Sequence, residues 1–327
     1  MSDVGLDFGR RRIVKGRGLH VRLPVAERLR AARGVPQAFV KVSKKFAHGV
    51  NGVNKLMNYI SQGGNLPLET ESGTLIKDRE ARRELVRDWA VDFDKRKDSR
   101  DSAHIIFSMP SGSDPEALRR SIRTVGAKAF PGHEWVFAIH QNKNHPHAHM
   151  VLKMRGRDQD LKLDFKKADL HELRGIFAEA AREQGVALAA SPRAARGVGR
   201  KGMSQAIRQM RDKKILPKVW KEAFREDCMK RDIATERPWE KAMEERNEKE
   251  RAAYREDAQG LRKQAAGQAD LNQKEALLQA ATDLEKFSRT MPKPKTRRQM
   301  WLEELEEDKK KKQSQISKGQ KETEWER

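Results

Sequence analysis

Apolar residues change their spacing twice along this chain. Residues 1–37 show little periodicity and are rich in Arg and Gly (Gly9-Arg10-Arg11-Arg12, Gly16-Arg17-Gly18), as expected of a flexible basic arm. From Ala38 onward, runs of consecutive apolar residues alternate with segments whose apolar positions recur every three to four, so strands and helices are expected to alternate. Phe39-Val40-Lys41-Val42 reads as a short strand. Residues 50–61 carry Val53, Leu56, Met57 and Ile60 on one helical face, and Gly63-Gly64 stops the helix. Residues 78–93 predict a second helix capped by Asp78, and His104 to Ser108 a strand ended by Met109-Pro110. Asp114-Pro115-Glu116 has the cap, the first-position proline and the early acid that open a helix. Glu134 to Ile139 and Met150-Val151-Leu152 read as two strands of a hairpin, followed by a helix from about Lys166 to Gln184 that Gly185 ends.

After Gly202 the pattern changes again. Residues 203–290 are almost all helix-forming and densely charged, with a thin apolar stripe, which predicts extended helices that pair with each other rather than a second compact core. Residues 291–327, with Lys309-Lys310-Lys311-Lys312, read as a low-complexity basic tail without order. The expected partition is therefore arm 1–37, globular α/β domain 38–202, charged helical region 203–290 and tail 291–327. No internal repeat is visible.

Charge adds a partner class. Lys plus Arg number 70 against 48 Asp plus Glu, a net charge of +22, and such an excess favours a polyanion, with nucleic acid as the first reading. No apolar stretch approaches the ~20 residues that span a bilayer, and residues 1–12 lack the apolar core of a signal peptide. A single cysteine, Cys228, excludes an intrachain disulfide framework and makes a reducing cytoplasm the natural compartment.

Four of the nine histidines fall between residues 140 and 149. His147 and His149 are two apart on a strand and so point to the same face. His140, ending the preceding strand, comes alongside them if the two strands pair. Three converging imidazoles suit a divalent metal, and an ion held by neutral ligands keeps the positive charge that polarises a phosphate oxygen. On a basic chain the substrate expected is a nucleic-acid phosphodiester. The nucleophile is either water or a side-chain hydroxyl. Of the two tyrosines, Tyr254 lies in the charged helical region; Tyr59 lies on the first helix of the globular region, where its spacing suits equally a core aromatic beside Leu56 and Ile60.

Three segments, in this order, resemble the motifs of the relaxases of mobilisable and conjugative plasmids, particularly the branch containing the T-DNA border nickase. They are Tyr59-Ile60-Ser61-Gln62-Gly63; His104 to Pro110 with Gly112 and Asp114; and His140, His145, Pro146, His147 and His149. The resemblance covers roughly residues 38–200. It implies a central antiparallel sheet flanked by helices with the histidine hairpin at its centre. It implies that Tyr59 attacks one strand at an origin of transfer, leaving a 3′-hydroxyl and a 5′-phosphotyrosine that reversal can rejoin, and that His140, His147 and His149 hold Mg²⁺ or Mn²⁺. By the same carry-over Ser108 contacts DNA near the nick. Arg10, Arg11 and Arg12 add phosphate contacts if they are more than solvated charge. The partners implied are single-stranded or supercoiled DNA at that origin, accessory mobilisation proteins and a type IV coupling protein, with export attached to DNA.

One departure stands out. The family's acidic position after the first histidine of the third motif is Asn142, and an amide cannot take up a proton or raise ligand basicity as a carboxylate does. His145 is the candidate substitute, as base or as a partner of the ligands, against a DNA-facing or structural role; Glu134, Asp101 and Asp164 are further acids. His104 is expected to be a structural strand histidine. The competing readings are a DNA-binding mobilisation accessory without chemistry and a tyrosine nuclease of rolling-circle replication or transposition.

Overall fold

The protein is described here from a computed structural model. It describes residues 23–295 except 44–45, 95, 97–98, 143, 158–161, 199–204, 214, 216, 219–221 and 223–237, together with residues 300, 303 and 307. Arg10, Arg11, Arg12, Cys228 and the lysine run of the tail lie outside the described residues. The chain divides into two compact units, one ending at Pro192 and one starting at Arg193.

The first unit is built on a six-stranded, wholly antiparallel sheet in the order β1-β4-β6-β5-β2-β3. The strands are β1 (Phe39–Val42), β2 (Leu68–Thr70), β3 (Leu75–Ile76), β4 (Ser102–Ser108), β5 (Trp135–His140) and β6 (His147–Lys153). Five helices accompany it: α1 (Val25–Ala32), α2 (Gly49–Ile60), α3 (Arg79–Ala90), α4 (Pro115–Ala129) and α5 (Lys167–Glu183). The alternation of the strands decides which helices cover which face. Ile105 and Phe107 of β4, Phe137 and Ile139 of β5, and Met150 and Leu152 of β6 point to one side and form the larger core with Leu118, Ile122 and Val125 of α4 and Leu173 and Phe177 of α5. Gly126 permits the closeness of this packing, because a methyl there would overlap the Trp135 indole. The intervening positions, Val136, Ala138 and Val151, form a smaller core with Val53, Met57 and Ile60 of α2 and Val86 and Trp89 of α3.

The expected caps are present. Asp78 accepts from the Ala81 amide at the start of α3, and Asp114 from the Glu116 and Ala117 amides at the start of α4. The arm expectation is corrected at residues 25–32, which form α1. Its Glu27 carboxylate accepts a hydrogen bond from the Ala190 amide at 2.6 Å and pairs with Arg182 at 3.4 Å, tying the helix to the rest of the unit. Strands β2 and β3, three and two residues long, are too short to leave a periodic trace.

In the second unit the charged region forms α6 (Gln205–Asp212) and a helical hairpin of α7 (Pro238–Ala266) and α8 (Leu271–Thr290). Ala258 and Ala265 of α7 and Ala280 and Ala281 of α8 are buried, small residues that let the two long helices approach, and Leu284 is buried with them. Tyr254 is fully buried, packs on Phe287 with ring centroids 5.1 Å apart, and satisfies its hydroxyl by donating to the Ala195 carbonyl at 2.7 Å. Arg251 closes the end of α8 by donating to the Ser288 and Met291 carbonyls. Among the described residues no helix is long and apolar enough to cross a membrane.

Candidate active site

On β5 and β6 the side that α2 and α3 cover carries Val136, Ala138 and Val151 and then three histidines. His140 and His147 are directly paired across the hairpin, as are Ala138 and His149, so the three rings share one patch of one face. Each offers one ring nitrogen, and these three atoms lie within 4.8 Å of one another. All three side chains are buried, between 5% and 6% exposed. They stand where the smaller core stops and pack on one another, with ring centroids 4.3 Å apart for His140–His149 and 5.1 Å for His147–His149.

Hydrogen bonds assign the ring protons of two of the three. A backbone carbonyl only accepts, so His147 carries its proton on Nδ1, 3.3 Å from the His145 carbonyl, and His140 on Nε2, 2.6 Å from the Ile60 carbonyl. The lone pairs are then His147 Nε2 and His140 Nδ1, the latter facing the Gln62 amide at 3.2 Å. His149 uses Nδ1 toward His104 Nε2 at 2.7 Å, which leaves Nε2 as its ligand atom. Imidazoles whose second nitrogen is fixed by a carbonyl or another ring are oriented as metal-ligating histidines are. The residues present therefore fit a divalent ion, with no carboxylate in the set.

Helix α2 brings Tyr59 to the same place. Its start is anchored by buried Asp101, which accepts from the Gly49 amide at 2.7 Å and from the Ser99 hydroxyl at 2.6 Å. Its last turn is held to the hairpin through Ile60 and His140. Tyr59 occupies that turn on the outer side and is 61% exposed, so the core reading of this tyrosine does not hold. Its ring stands edge-on to His149 and His104, with centroids 5.7 and 6.0 Å away. The chain then turns sharply: Gln62 has φ of 51°, unlike any other non-glycine among the described residues, and Gly63 follows at 75°. Buried Arg82 donates to the Ser61 hydroxyl and fixes this turn from α3.

His104 is the residue that sequence reasoning undervalued. It is 8% exposed, stacks on His149 at 5.0 Å, and burial pushes its pKa down to about 4, with Lys41 and His140 adding to the shift. It is a neutral imidazole at neutral pH, able to hold His149 without adding charge. Only the register of β4 against β6, which pairs Ile106 with His149 and His104 with Val151, brings it there. Ser108 pairs with His147 and so lies one strand from the ligand cluster.

The other candidates separate from the cluster. His145 is exposed; its carbonyl serves His147 and its ring centroid is 5.7 Å from that of His147. Asn142 is exposed on the hairpin turn and shows no hydrogen bond to a histidine among the described residues. Glu134 is taken up by buried Lys153 at 2.6 Å, Asp164 by Arg100 at 3.2 Å, and Asp101 by the start of α2.

Residues 59–186 match the family model described as "Relaxase: MobA/VirD2-like, nuclease domain". Over these residues the chain is similar to relaxase nuclease domains. The matched segment starts at Tyr59 and includes all three histidines of the cluster. The chain is also similar to the T-DNA border endonuclease VirD2 of Rhizobium radiobacter, with 28% identity over 175 residues covering 47% of this chain and 41% of the relative. The VirD2 of Agrobacterium fabrum is likewise 28% identical over 175 residues, covering 47% and 39%. The chain thus spans about two fifths of the length of these curated relatives. A solved structure titled "Molecular Basis of Vancomycin Resistance Transfer in Staphylococcus aureus" overlaps 48% of this chain and 99% of its own, at 18% identity and a TM-score of 0.33, too low to bear on function. The likeness to relaxases rests on the sequence matches alone.

Proposed function

We propose that the chain is a metal-dependent relaxase that nicks one DNA strand at a plasmid origin of transfer through Tyr59 and can rejoin it. The observation that carries this reading is the placement of an exposed tyrosine ring 5.7 Å from His149, beside three histidines whose ligand atoms lie within 4.8 Å of one another. In this reading the Tyr59 Oη attacks a phosphorus atom and the bond to the 3′-oxygen breaks. The phenol loses its proton, the departing 3′-oxygen gains one, and a 5′-phosphotyrosine ester remains. The ester conserves the energy of the broken bond, so the 3′-hydroxyl can reverse the step without a nucleotide cofactor. His140, His147 and His149 would hold Mg²⁺ or Mn²⁺, which supplies Lewis-acid stabilisation of the charge that develops on the phosphate. The carbonyls of Ile60 and His145 and the ring of His104 fix the three imidazoles, which makes the family's acid, replaced by Asn142, unnecessary for orienting them.

Residues 38–202 would act as the nicking domain, with Ser108 contacting DNA near the nick. The arm, including Arg10, Arg11 and Arg12, would add phosphate contacts. The helical region 203–290 and the tail 291–327 would serve accessory mobilisation proteins or a type IV coupling protein. The protein would act in the bacterial cytoplasm and leave it attached to DNA. Asn142 favours one second reading, a DNA-binding mobilisation accessory without chemistry. Purified protein incubated with Mg²⁺ and single-stranded DNA from its own plasmid's transfer origin separates the two. The relaxase reading predicts a covalent adduct that is lost in Tyr59→Phe and strongly reduced in His147→Ala; the accessory reading predicts binding with no adduct at any divalent metal.

A further inference from the structure

The face that carries the histidines does not end at them. Strand register continues it outward to the sheet edge. Phe39 of β1 pairs with Ser108 of β4, Ser108 with His147 of β6, and His147 with His140 of β5, so these four residues form one row across the sheet. The next row is Lys41, Ile106, His149 and Ala138. Directly paired residues of an antiparallel sheet share a face, and strands are spaced about 4.8 Å apart. Phe39 and Lys41 therefore stand on the histidine side, roughly two strands from the ligand cluster. Helices α2 and α3 cover this face over Val136, Ala138 and Val151 but not over β1. Phe39 is left 51% exposed, Lys41 is exposed, and Ile106 and Ser108 are half-buried. Their neighbour Val40 points the other way and is buried in the larger core. The alternation is thus regular, and the exposed side presents an aromatic ring and an ammonium group instead of polar filler.

We infer that Phe39 and Lys41 form a docking strip for the single-stranded DNA next to the scissile phosphate, with a base stacked on the Phe39 ring and a backbone phosphate held by Lys41. An aromatic ring on an open sheet with a neighbouring cation is the combination that single strands bind, because every base has a face to stack and every nucleotide a charge. The strip lies outside the matched segment 59–186. Strand β1 is also an edge, and a second copy of the chain is the competing occupant. Against that, the edge is already engaged just before Phe39, where the Ala38 amide donates to the Ala189 carbonyl at 2.8 Å. A net charge of +22 further favours a polyanion over another copy of the same cation.

The inference rests on the relaxase reading, and its test is separable from the test of that reading. The full-length protein is irradiated with a mixed-sequence single-stranded oligonucleotide carrying 4-thiothymidine, and the cross-linked peptides are mapped. In parallel, affinity for the unmodified oligonucleotide is measured by fluorescence anisotropy across a salt series. Cross-linking to the tryptic segment 34–41 is expected. Phe39→Ala should weaken binding about tenfold, Phe39→Trp should keep wild-type affinity, and Lys41→Gln should lower the salt slope by about 0.7. Both positions are exposed, and melting temperatures close to wild type verify that the variants fold. Cross-links confined to other segments, with Phe39→Ala binding within twofold of wild type, would overturn the inference. So would a wild-type dimer that Phe39→Ala converts to a monomer with DNA binding unchanged. A strip that binds DNA in a protein forming no Tyr59 adduct would refute the relaxase reading and leave the strip standing.

Discussion

The two faces of β5 and β6 are made from the same residues in alternation, yet they do opposite things. One face, with Trp135, Phe137, Ile139, Met150 and Leu152, is closed by α4 and α5 into an apolar core. The other starts apolar at Val136 and Val151 and becomes a cluster of buried imidazoles at His140, His147 and His149. Burial is nearly equal on both sides; what differs is how it is satisfied. The apolar face gains from contact alone. The histidine face needs a partner for one nitrogen of each ring, and Ile60, His145 and His104 supply these from three different segments. A face held by directional bonds can keep its shape while leaving ligand atoms directed at a shared point. A face held by packing offers no such atoms.

This contrast gives graded predictions. Phe137→Ala, on the closed face, should cost about 3–5 kcal/mol of stability in chemical denaturation, while any folded fraction keeps its metal affinity. A loss of metal binding in that folded fraction would show that the faces are coupled. His149→Ala, on the open face, should cost only about 1–2 kcal/mol but lower Mn²⁺ affinity by at least about a hundredfold in calorimetry. Mn²⁺ added at about a hundred times its Kd should stabilise the wild type by about 2.7 kcal/mol and leave His149→Ala unmoved; equal stabilisation of both would place the ion elsewhere. The smallest effect expected is at Asp101→Asn, which removes the charge anchoring the start of α2 and should cost about 1 kcal/mol. Because the far end of that helix is held independently through Ile60, adduct formation should fall less than about tenfold, as measured by initial rates.

The strands and helices that bury a periodic face were legible in the sequence. Residues 39–42 form the strand expected there, α2, α3 and α5 end within a few residues of the expected bounds, and α4 starts at the expected Asp114 cap. The convergence of His147 and His149 was legible because a strand's period is two. Sequence spacing could not settle whether Tyr59 is core or surface, since Leu56, Tyr59 and Ile60 sit side by side on a helix; only the packing of α2 turns Ile60 inward and leaves Tyr59 out. His104 and Phe39 were hidden for a different reason. Each reaches the site through cross-strand register, 45 residues from His149 in one case, and register between distant strands leaves no local mark. Helix α1 was missed because its eight residues, little more than two turns, lie among arginines, and contacts of Glu27 with the distant Ala190 and Arg182 organise it.

The central claim is that the exposed ring at the end of α2 is the group that attacks DNA beside the histidine cluster. Peptide mapping of the covalent product by mass spectrometry tests it most directly, using wild-type protein, Mg²⁺ and single-stranded DNA from its transfer origin. A 5′-linked nucleotide on the peptide containing Tyr59, absent when metal is chelated and absent in Tyr59→Phe, is the result predicted. A nucleotide attached to any other residue, or nicking with a free 5′-phosphate and no attached protein, would contradict it.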